Sequence, residues 1–359
     1  MAKNKKEKRY VERDVSWMYF NHRILQEAQK ENIPLLERLS FLGIYSNNLD
    51  EFFRVRMASL SRLLESDNKE VRRQHDTIRK TMAKINKLNS AYSQEYTSAI
   101  DHVFDCLEKH NIRMLDETQL NDEQKRFLTN FFHERLNGYT NPIWYSEIGE
   151  IGQLEDNRIY LLVRKTDITS GSSRPKSSLA IIKVPDRENG RFIKLPSSDG
   201  FDNIMYLDDV VRYCLPLIFI GFKPAVFESY SFKFTKDAEM EMDNDSDYGV
   251  LEKIAKGVSS RRHGEPVRLI YDKSMPKEMK KKLMSKLNVS KLDSLDTVIE
   301  SGRYQNHKDL MGFPDCGHDE LKYPKWAHVM KPEFLAQESI LDQIRRKDLF
   351  IHVPYHSFD

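Results

Sequence analysis

The feature that most constrains this chain is a long run of helical periodicity between residues 34 and 64. Pro34 suits the first turn of a helix, because the N–H that it lacks would go unpaired there. Apolar side chains then recur at steps of three and four residues, which is typical of an amphipathic helix with one buried face. This apolar stripe consists of Leu35, Leu39, Leu42, Tyr45, Leu49, Phe52, Leu60 and Leu63. A helix of this length spans roughly 45 Å at ~1.5 Å per residue, so we expect it to be the central helix of a domain.

A second strip runs beside the apolar stripe and is interrupted by an amide. Phe41, Ile44, Asn48 and Val55 fall at helical spacing, roughly 80° around the helix from the main stripe. A partly buried amide costs free energy unless its donors and acceptors are paired. Two interpretations are open. Either Asn48 or its neighbour Asn47 bonds to nearby protein groups, or Asn48 meets a ligand beside apolar side chains that pack against a flat ring.

The pattern along the chain predicts an α+β fold: an N-terminal helical bundle followed by a mixed α+β domain. Helical periodicity predicts helices over 14–30, 34–64, 78–107, 122–136, 206–219 and 276–287. Short runs of β-branched and aromatic residues between turn signals predict strands over 159–165, 178–184, 191–195, 225–235 and 266–272. We expect no strand before about residue 112, and Asn121 is the expected cap of the helix that follows it.

Two adjoining segments carry a resemblance to a known family. The segment FLGIYSNNLDEFFRVRMASL (41–60) and the preceding RDVSWMYFNHRILQEA (13–28) closely resemble the N-terminal domain of bacterial polyphosphate kinases. Those enzymes reversibly transfer the terminal phosphate of ATP to a growing polyphosphate chain. The segments EPVRLIYD (265–272) and SGRYQNHKDLMGFP (301–314) are similar to the family's central domain. The resemblance therefore covers nearly the whole chain.

The resemblance implies a division of the chain into three parts. Residues 1–111 are expected to form the helical N-terminal domain, on the side of the nucleotide base. Residues 112–324 are expected to form the α+β central domain, which supports dimer formation in the family. Residues 325–359 resemble the beginning of the first catalytic domain, so we expect that domain to be truncated here.

The resemblance also says which chemistry to expect in this chain. In the family the phosphate is carried on a histidine, and the catalytic histidines with their arginine and magnesium-binding partners belong to the C-terminal half. No histidine of this chain matches them, so we expect no catalytic residue and no Mg²⁺ ligand here. The nucleotide contact implied by the family is Asn48. Phe41 and Leu42 are the residues expected to pack against adenine, with packing inside the helical core as the alternative for both.

Composition limits the other partners. The chain has 57 basic and 55 acidic residues, which gives no overall argument for binding nucleic acid. The basic clusters at 259–263 and 280–286 could face phosphates, but lysines on an amphipathic helix such as 276–287 are expected to be solvated, and we predict no nucleic-acid partner. No apolar run approaches the ~20 residues that span a bilayer. Three isolated cysteines without metal-ligand spacing favour a reduced, cytoplasmic protein.

The leading hypothesis is that this chain is the N-terminal part of a polyphosphate kinase. It would contribute ATP binding and assembly as a homodimer, with ATP, ADP and polyphosphate as partners of the complete enzyme and Mg²⁺ as its metal ion. Alone, the chain should have no transfer activity. The alternative is a non-catalytic binding or oligomerisation protein derived from that enzyme.

Overall fold

The structure is a computed structural model of the 359-residue chain. It describes residues 10–147, 154–155, 157–168, 176–236, 266–287, 298–335 and 339–357. The basic cluster at 259–263 lies outside these described residues.

The N-terminal region is helical, as predicted. Its helices are α1 (Arg13–Ala28), α2 (Leu35–Phe52), α3 (Ala58–Glu65), α4 (Lys69–Arg72) and α5 (His75–Glu108). Side chains from α1, α2, α3 and α5 form one hydrophobic core. The Glu12 side chain caps α1 by accepting from the Val15 N–H, and the chain enters α2 at Pro34.

The central helix runs from α2 to α3 through a five-residue π turn, Phe53–Met57. The apolar stripe is buried as predicted from Leu35 to Phe52 and at Leu60. Leu63, however, is 40% exposed. A π turn inserts extra residues relative to α-helical spacing, so the face that points inward rotates after it. Phe53 and Met57 become buried there, and Leu63 turns away.

The rest of the chain is built on two sheets. The larger sheet has the strand order β2-β4-β3-β7-β8-β9, antiparallel except for the parallel pair β8–β9. Its strands are β2 (Ile143–Trp144), β3 (Ile159–Asp167), β4 (Ser177–Lys183), β7 (Ala225–Lys236), β8 (Pro266–Asp272) and β9 (Val298–Ser301). In β3, Leu161 and Leu162 belong to two different cores. Both faces of the sheet are therefore covered, which explains the unbroken apolar run in this strand.

The smaller sheet has the order β1-β6-β5, with β1 parallel and β5 antiparallel to β6. Its strands are β1 (Ile112–Leu115), β5 (Phe192–Lys194) and β6 (Asp202–Tyr206). Ile112 and Ile204 from this sheet join the core of the helical region, whereas Met205 joins a core of the larger sheet. The small sheet therefore connects the helical region to the remainder of the molecule.

Short helices complete the fold. They are α6 (Asp122–Phe131), which continues as a π turn (Phe132–Leu136), α7 (Asp186–Asn189), α8 (Leu207–Tyr213), α9 (Leu215–Ile218), α10 (Lys277–Lys286), α11 (Pro332–Leu335) and α12 (Ile340–Arg346), with 3-10 turns at His307–Gly312 and Asp319–Leu321. Asn121 caps α6 in a reciprocal capping box with Gln124, as predicted. The two 3-10 turns add Leu310 and Leu321 to the helical core.

The predicted α+β class is confirmed, and so are all five predicted strands. Four short strands among the described residues, β1, β2, β6 and β9, were not predicted. The helix predicted over 206–219 is shorter, because residues up to Tyr206 belong to β6 and the remainder divides at Cys214.

Candidate functional site

Asn48 lies where helices α1 and α2 cross, and it is paired with a second asparagine. Its Nδ2 donates a hydrogen bond to Oδ1 of Asn21, at 3.2 Å. Asn21 is 1% exposed, and its own Nδ2 donates to the main-chain oxygen of Tyr45, at 3.2 Å. The interpretation in which Asn48 bonds a neighbouring side chain is therefore realised. Asn48 nevertheless remains partly exposed.

The two apolar residues predicted beside Asn48 differ in accessibility. Phe41 is partly buried and packs against the helical core with part of its surface open. Leu42 is fully buried in that core, and its main-chain oxygen accepts a hydrogen bond from the Tyr96 hydroxyl at 3.1 Å. Leu42 therefore lies inside the helical core, which is the alternative position given for it in the sequence analysis. A ligand contact by Leu42 would require the core to open, and it stays a prediction.

Aromatic side chains line the α1 side of the crossing. Trp17 stacks on Phe52 of α2, with ring centroids 4.2 Å apart and planes 10° from parallel. Phe20 precedes the buried Asn21 and is 58% exposed. The surface around Asn48 thus offers amide groups and apolar rings, which are the groups that bind a nucleobase through its edge and its face.

The opposite side of α2 carries a buried ion pair that reaches the larger sheet. Asp50 contacts Lys233 of β7 (Oδ2 to Nζ, 2.5 Å) and Arg268 of β8 (Oδ1 to a guanidinium nitrogen, 3.1 Å). Both cations are buried. Lys233 Nζ also donates to Asn306 Oδ1 at 3.0 Å, and Arg268 lies over the Phe53 ring, 4.2 Å from its centroid.

Charge and burial act in opposite directions on this ion pair. Burial alone would raise the pKa of the Asp50 carboxyl, but the positive charges of Lys233 and Arg268 outweigh it, and the pKa lies below its ordinary value. Burial lowers the pKa of the Lys233 ammonium against the attraction of Asp50. Asp50 is therefore ionised at neutral pH and anchors α2 to the sheet.

Gly43, also in the family-like segment, permits a close contact on this side of α2. A Cβ atom at Gly43 would lie 2.7 Å from Met311 Cγ and 2.8 Å from the Met311 main-chain nitrogen. The 3-10 turn at His307–Gly312 can pack against α2 only because this position has no side chain. The SNNLDEF segment and the residues just before it therefore join α2 to two other regions. Asp50 contacts the larger sheet, and Gly43 contacts the 307–312 turn.

Sequence reasoning missed Asn21 as the partner of Asn48, and it missed the Asp50 ion pair entirely. One signal for the ion pair was present. In the β7 sequence SYSFKFT, Lys233 lies between two phenylalanines in a strand buried on both faces, and a buried lysine needs an anionic partner. Nothing in the sequence indicates that this partner is Asp50, which is 183 positions away.

The described residues show no cluster suited to metal binding. No cluster of three or more His, Cys, Asp or Glu side chains that could hold a metal ion occurs among them. In that same part of the chain, no helix is both long and apolar enough to cross a bilayer. A cleft of about 460 Å³ lies between α7 and the 307–312 turn, but Arg191 and Lys308 share it with Asp186 and Asp309. Its mixed charge does not favour an anion such as phosphate.

Comparison with known proteins identifies the family. Residues 10–115 match the family model described as the polyphosphate kinase N-terminal domain, and residues 123–313 match that of the polyphosphate kinase middle domain. A polyphosphate kinase of Vibrio parahaemolyticus is 34% identical over 98% of this chain and 50% of its own length. That of Escherichia coli strain K12 is 33% identical over 98% of this chain and 51% of its own length.

A solved structure supports the same family. The polyphosphate kinase of Porphyromonas gingivalis superposes with a TM-score of 0.75 and 27% identity, covering 98% of this chain and 48% of that one. The chain thus spans about half the length of the relatives that it matches. It belongs to the polyphosphate kinase family, of which it contains the N-terminal and middle domains.

Proposed function

We propose that this chain is the nucleotide-binding and assembly part of a polyphosphate kinase that transfers the terminal phosphate of ATP to polyphosphate through a phosphohistidine. In this proposal the phosphohistidine and the ligands of Mg²⁺ belong to the other half of the enzyme. This chain supplies Asn48 as a contact to the nucleotide base. The complete enzyme acts as a homodimer in the cytoplasm.

The observation that carries the proposal is the state of Asn48. It is the residue of the family-like segment implied to contact ATP, and it lies at the surface with one amide hydrogen bonded to Asn21. Among the described residues its Oδ1 accepts no hydrogen bond, which leaves an acceptor available to a ligand. Phe20, which precedes Asn21 in α1, and Phe41, two turns before Asn48 in α2, both have exposed apolar surface.

The distribution of exposed apolar residues supports the assembly role. Ten large apolar side chains are exposed among the described residues between 323 and 355, a density typical of an interaction surface. They are Tyr323, Trp326, Val329, Met330, Ile340, Leu341, Ile344, Phe350, Val353 and Tyr355. A segment of this kind is expected to pack against further protein, and we assign the remaining half of the enzyme as that protein.

The Asn48 contact is tested by a pair of variants in the full-length enzyme. Asn48→Ala should raise KM for ATP about tenfold, the size expected for loss of a hydrogen bond worth about 1.4 kcal/mol. Asn47→Ala is the matched control, because Asn47 is the preceding residue of the same helix and is exposed. Equal KM values for the two variants would contradict the proposed contact.

The division of labour is tested with the isolated chain. Purified residues 1–359, given ATP, Mg²⁺ and a polyphosphate primer, should produce no ADP and no longer polymer. Turnover by this chain would show that catalytic residues lie within it. Adding the separately expressed C-terminal half should restore transfer if the exposed apolar segment docks onto that half.

A further inference from the structure

We propose that Asn21 is a positioning residue for the nucleotide site: it fixes the orientation of the Asn48 carboxamide and so makes the site select adenine over guanine nucleotides. This inference rests on the proposed function, because it requires Asn48 to contact the base. Its evidence is a chain of two hydrogen bonds whose direction follows from elementary chemistry.

The donor and acceptor roles in these two hydrogen bonds are set at Tyr45. A main-chain carbonyl oxygen can only accept a hydrogen bond, so the end of Asn21 that faces Tyr45 must be its NH₂ group. The oxygen of Asn21 therefore faces Asn48. Asn48 must in turn present its own NH₂ group to Asn21, since two amide oxygens at 3.2 Å would repel each other.

Burial makes this orientation rigid. Asn21 is almost completely enclosed, and both ends of its amide are satisfied by the two bonds just described. Turning the Asn21 amide over would place an oxygen against the Tyr45 carbonyl and an NH₂ group against that of Asn48. Both hydrogen bonds would be lost at once, and the loss of the buried bond to Tyr45 is costly because no water reaches it to replace the lost partner.

The consequence appears at the exposed end of Asn48. With one hydrogen of its NH₂ group bonded to Asn21, the carboxamide turns Oδ1 away from Asn21 as a fixed acceptor. Adenine presents an amino donor, N6–H₂, at the position where guanine presents the acceptor O6. A fixed Oδ1 can accept from adenine N6, whereas it opposes guanine O6 as one acceptor against another. Such a mismatched pair is a repulsive element that gives selectivity.

Two variants of Asn21 distinguish a role in positioning Asn48 from a role in stability alone. Asn21→Leu has a similar volume but no polar group, so the Asn48 amide is free to turn over. Asn21→Asp keeps an acceptor facing the Asn48 NH₂ group and so keeps the orientation of Asn48, although it loses the bond to Tyr45. The two variants therefore have opposite expected effects on selectivity, while both are expected to lower thermal stability.

The experiment measures kcat/KM for ATP and for GTP in the full-length enzyme, together with Tm. We expect Asn21→Leu to lower the ATP-to-GTP ratio of kcat/KM about tenfold, within the range of one base-edge contact. Asn21→Asp should keep the ratio within about twofold of the unmodified enzyme, because the Asn48 oxygen still points outward. If Asn21→Leu fails to fold, Asn21→Ala tests the same ratio.

The results distinguish this inference from the proposed function. An unchanged ratio in Asn21→Leu or Asn21→Ala, with KM for ATP raised in Asn48→Ala, overturns the positioning role and leaves the nucleotide contact intact. An unchanged KM for ATP in Asn48→Ala removes the contact itself, and with it any role for Asn21. A fall in both ATP and GTP rates by the same factor identifies Asn21 as structural only.

Discussion

The two sides of helix α2 differ in the environment of their polar residues. On one side, Gly43 and Asp50 face protein: the glycine admits the 307–312 turn, and the carboxylate is enclosed by Lys233 and Arg268. On the other side, Asn48 uses one amide hydrogen on Asn21 and keeps an open acceptor. One short segment therefore contains both residues that fix the helix in place and the residue that we propose binds the nucleotide.

This difference teaches that the two sides should respond differently to mutation. Substitutions on the packed side should act mainly on the free energy of unfolding. Substitutions on the open side should act mainly on ligand affinity. The following changes test that contrast, beginning with the largest expected effect on stability.

The largest loss is expected from Asp50→Ala. It leaves two buried cations without their anion, and breaking a buried pair in this way costs about 3–5 kcal/mol. Urea unfolding followed by circular dichroism measures the change. Glu51→Ala is the matched control, because Glu51 is exposed and pairs with Arg54 at the surface. Its loss should cost no more than about 1 kcal/mol, and equal effects of the two variants would show that the Asp50 pair does not anchor α2.

Gly43→Ala should have the next largest effect. The added Cβ would approach Met311 main-chain and side-chain atoms to below 3.0 Å, so the 307–312 turn must shift. Overpacking of this kind typically costs about 1–3 kcal/mol. Gly221→Ala serves as the control, because no described atom lies within 4 Å of the position its Cβ would take. A Gly43→Ala variant as stable as the control would contradict the close contact.

A pH dependence is expected from His307, which lies beside the same ion pair. Burial, followed by the charge of Arg191, lowers the pKa of this imidazole from 6.5 to about 4. Below pH 6.5, His307 therefore binds a proton in the unfolded chain but not in the folded chain. The contribution of His307 to the free energy of unfolding is fully present at pH 7.5. It falls as the pH is lowered, by about 2 kcal/mol at pH 5.

Comparing the unmodified chain with His307→Gln isolates this contribution. The variant should lose less stability between pH 7.5 and pH 5, since glutamine does not titrate. Parallel losses in the two proteins would mean that the folded and unfolded chains protonate His307 alike.

The smallest effect on stability is expected from Asn48→Ala. It removes one partly exposed hydrogen bond to Asn21, worth about 1 kcal/mol or less. Differential scanning calorimetry should therefore detect only a small shift in Tm. A loss as large as that of Asp50→Ala would place Asn48 on the structural side of the comparison.

The sequence predicted local features well because they depend on neighbouring residues. The long helix α5, the Asn121 cap and strands β3, β4, β7 and β8 follow from periodicity and turn chemistry. The burial predicted for Leu63 was wrong because a π turn, which leaves no periodic signal, rotates the helix before it. Strand β6 was missed because it is short and pairs with β1, some 90 positions earlier in the chain.

The candidate site was predictable only in part, for the same reason. Resemblance to the family drew attention to Asn48, but its bond to Asn21 depends on how α1 and α2 cross. The partners of Asp50 are 183 and 218 positions away. Such contacts depend on the tertiary arrangement of helices and sheets, which local patterns do not determine.

The central claim is that the open side of α2 receives the nucleotide base. A structure of the full-length enzyme with a non-hydrolysable ATP analogue tests it most directly. We expect the Asn48 carboxamide to lie within hydrogen-bond distance, about 2.7–3.2 Å, of the edge of the adenine base. An adenine bound elsewhere, with the Asn48 carboxamide in contact only with protein or water, would contradict it.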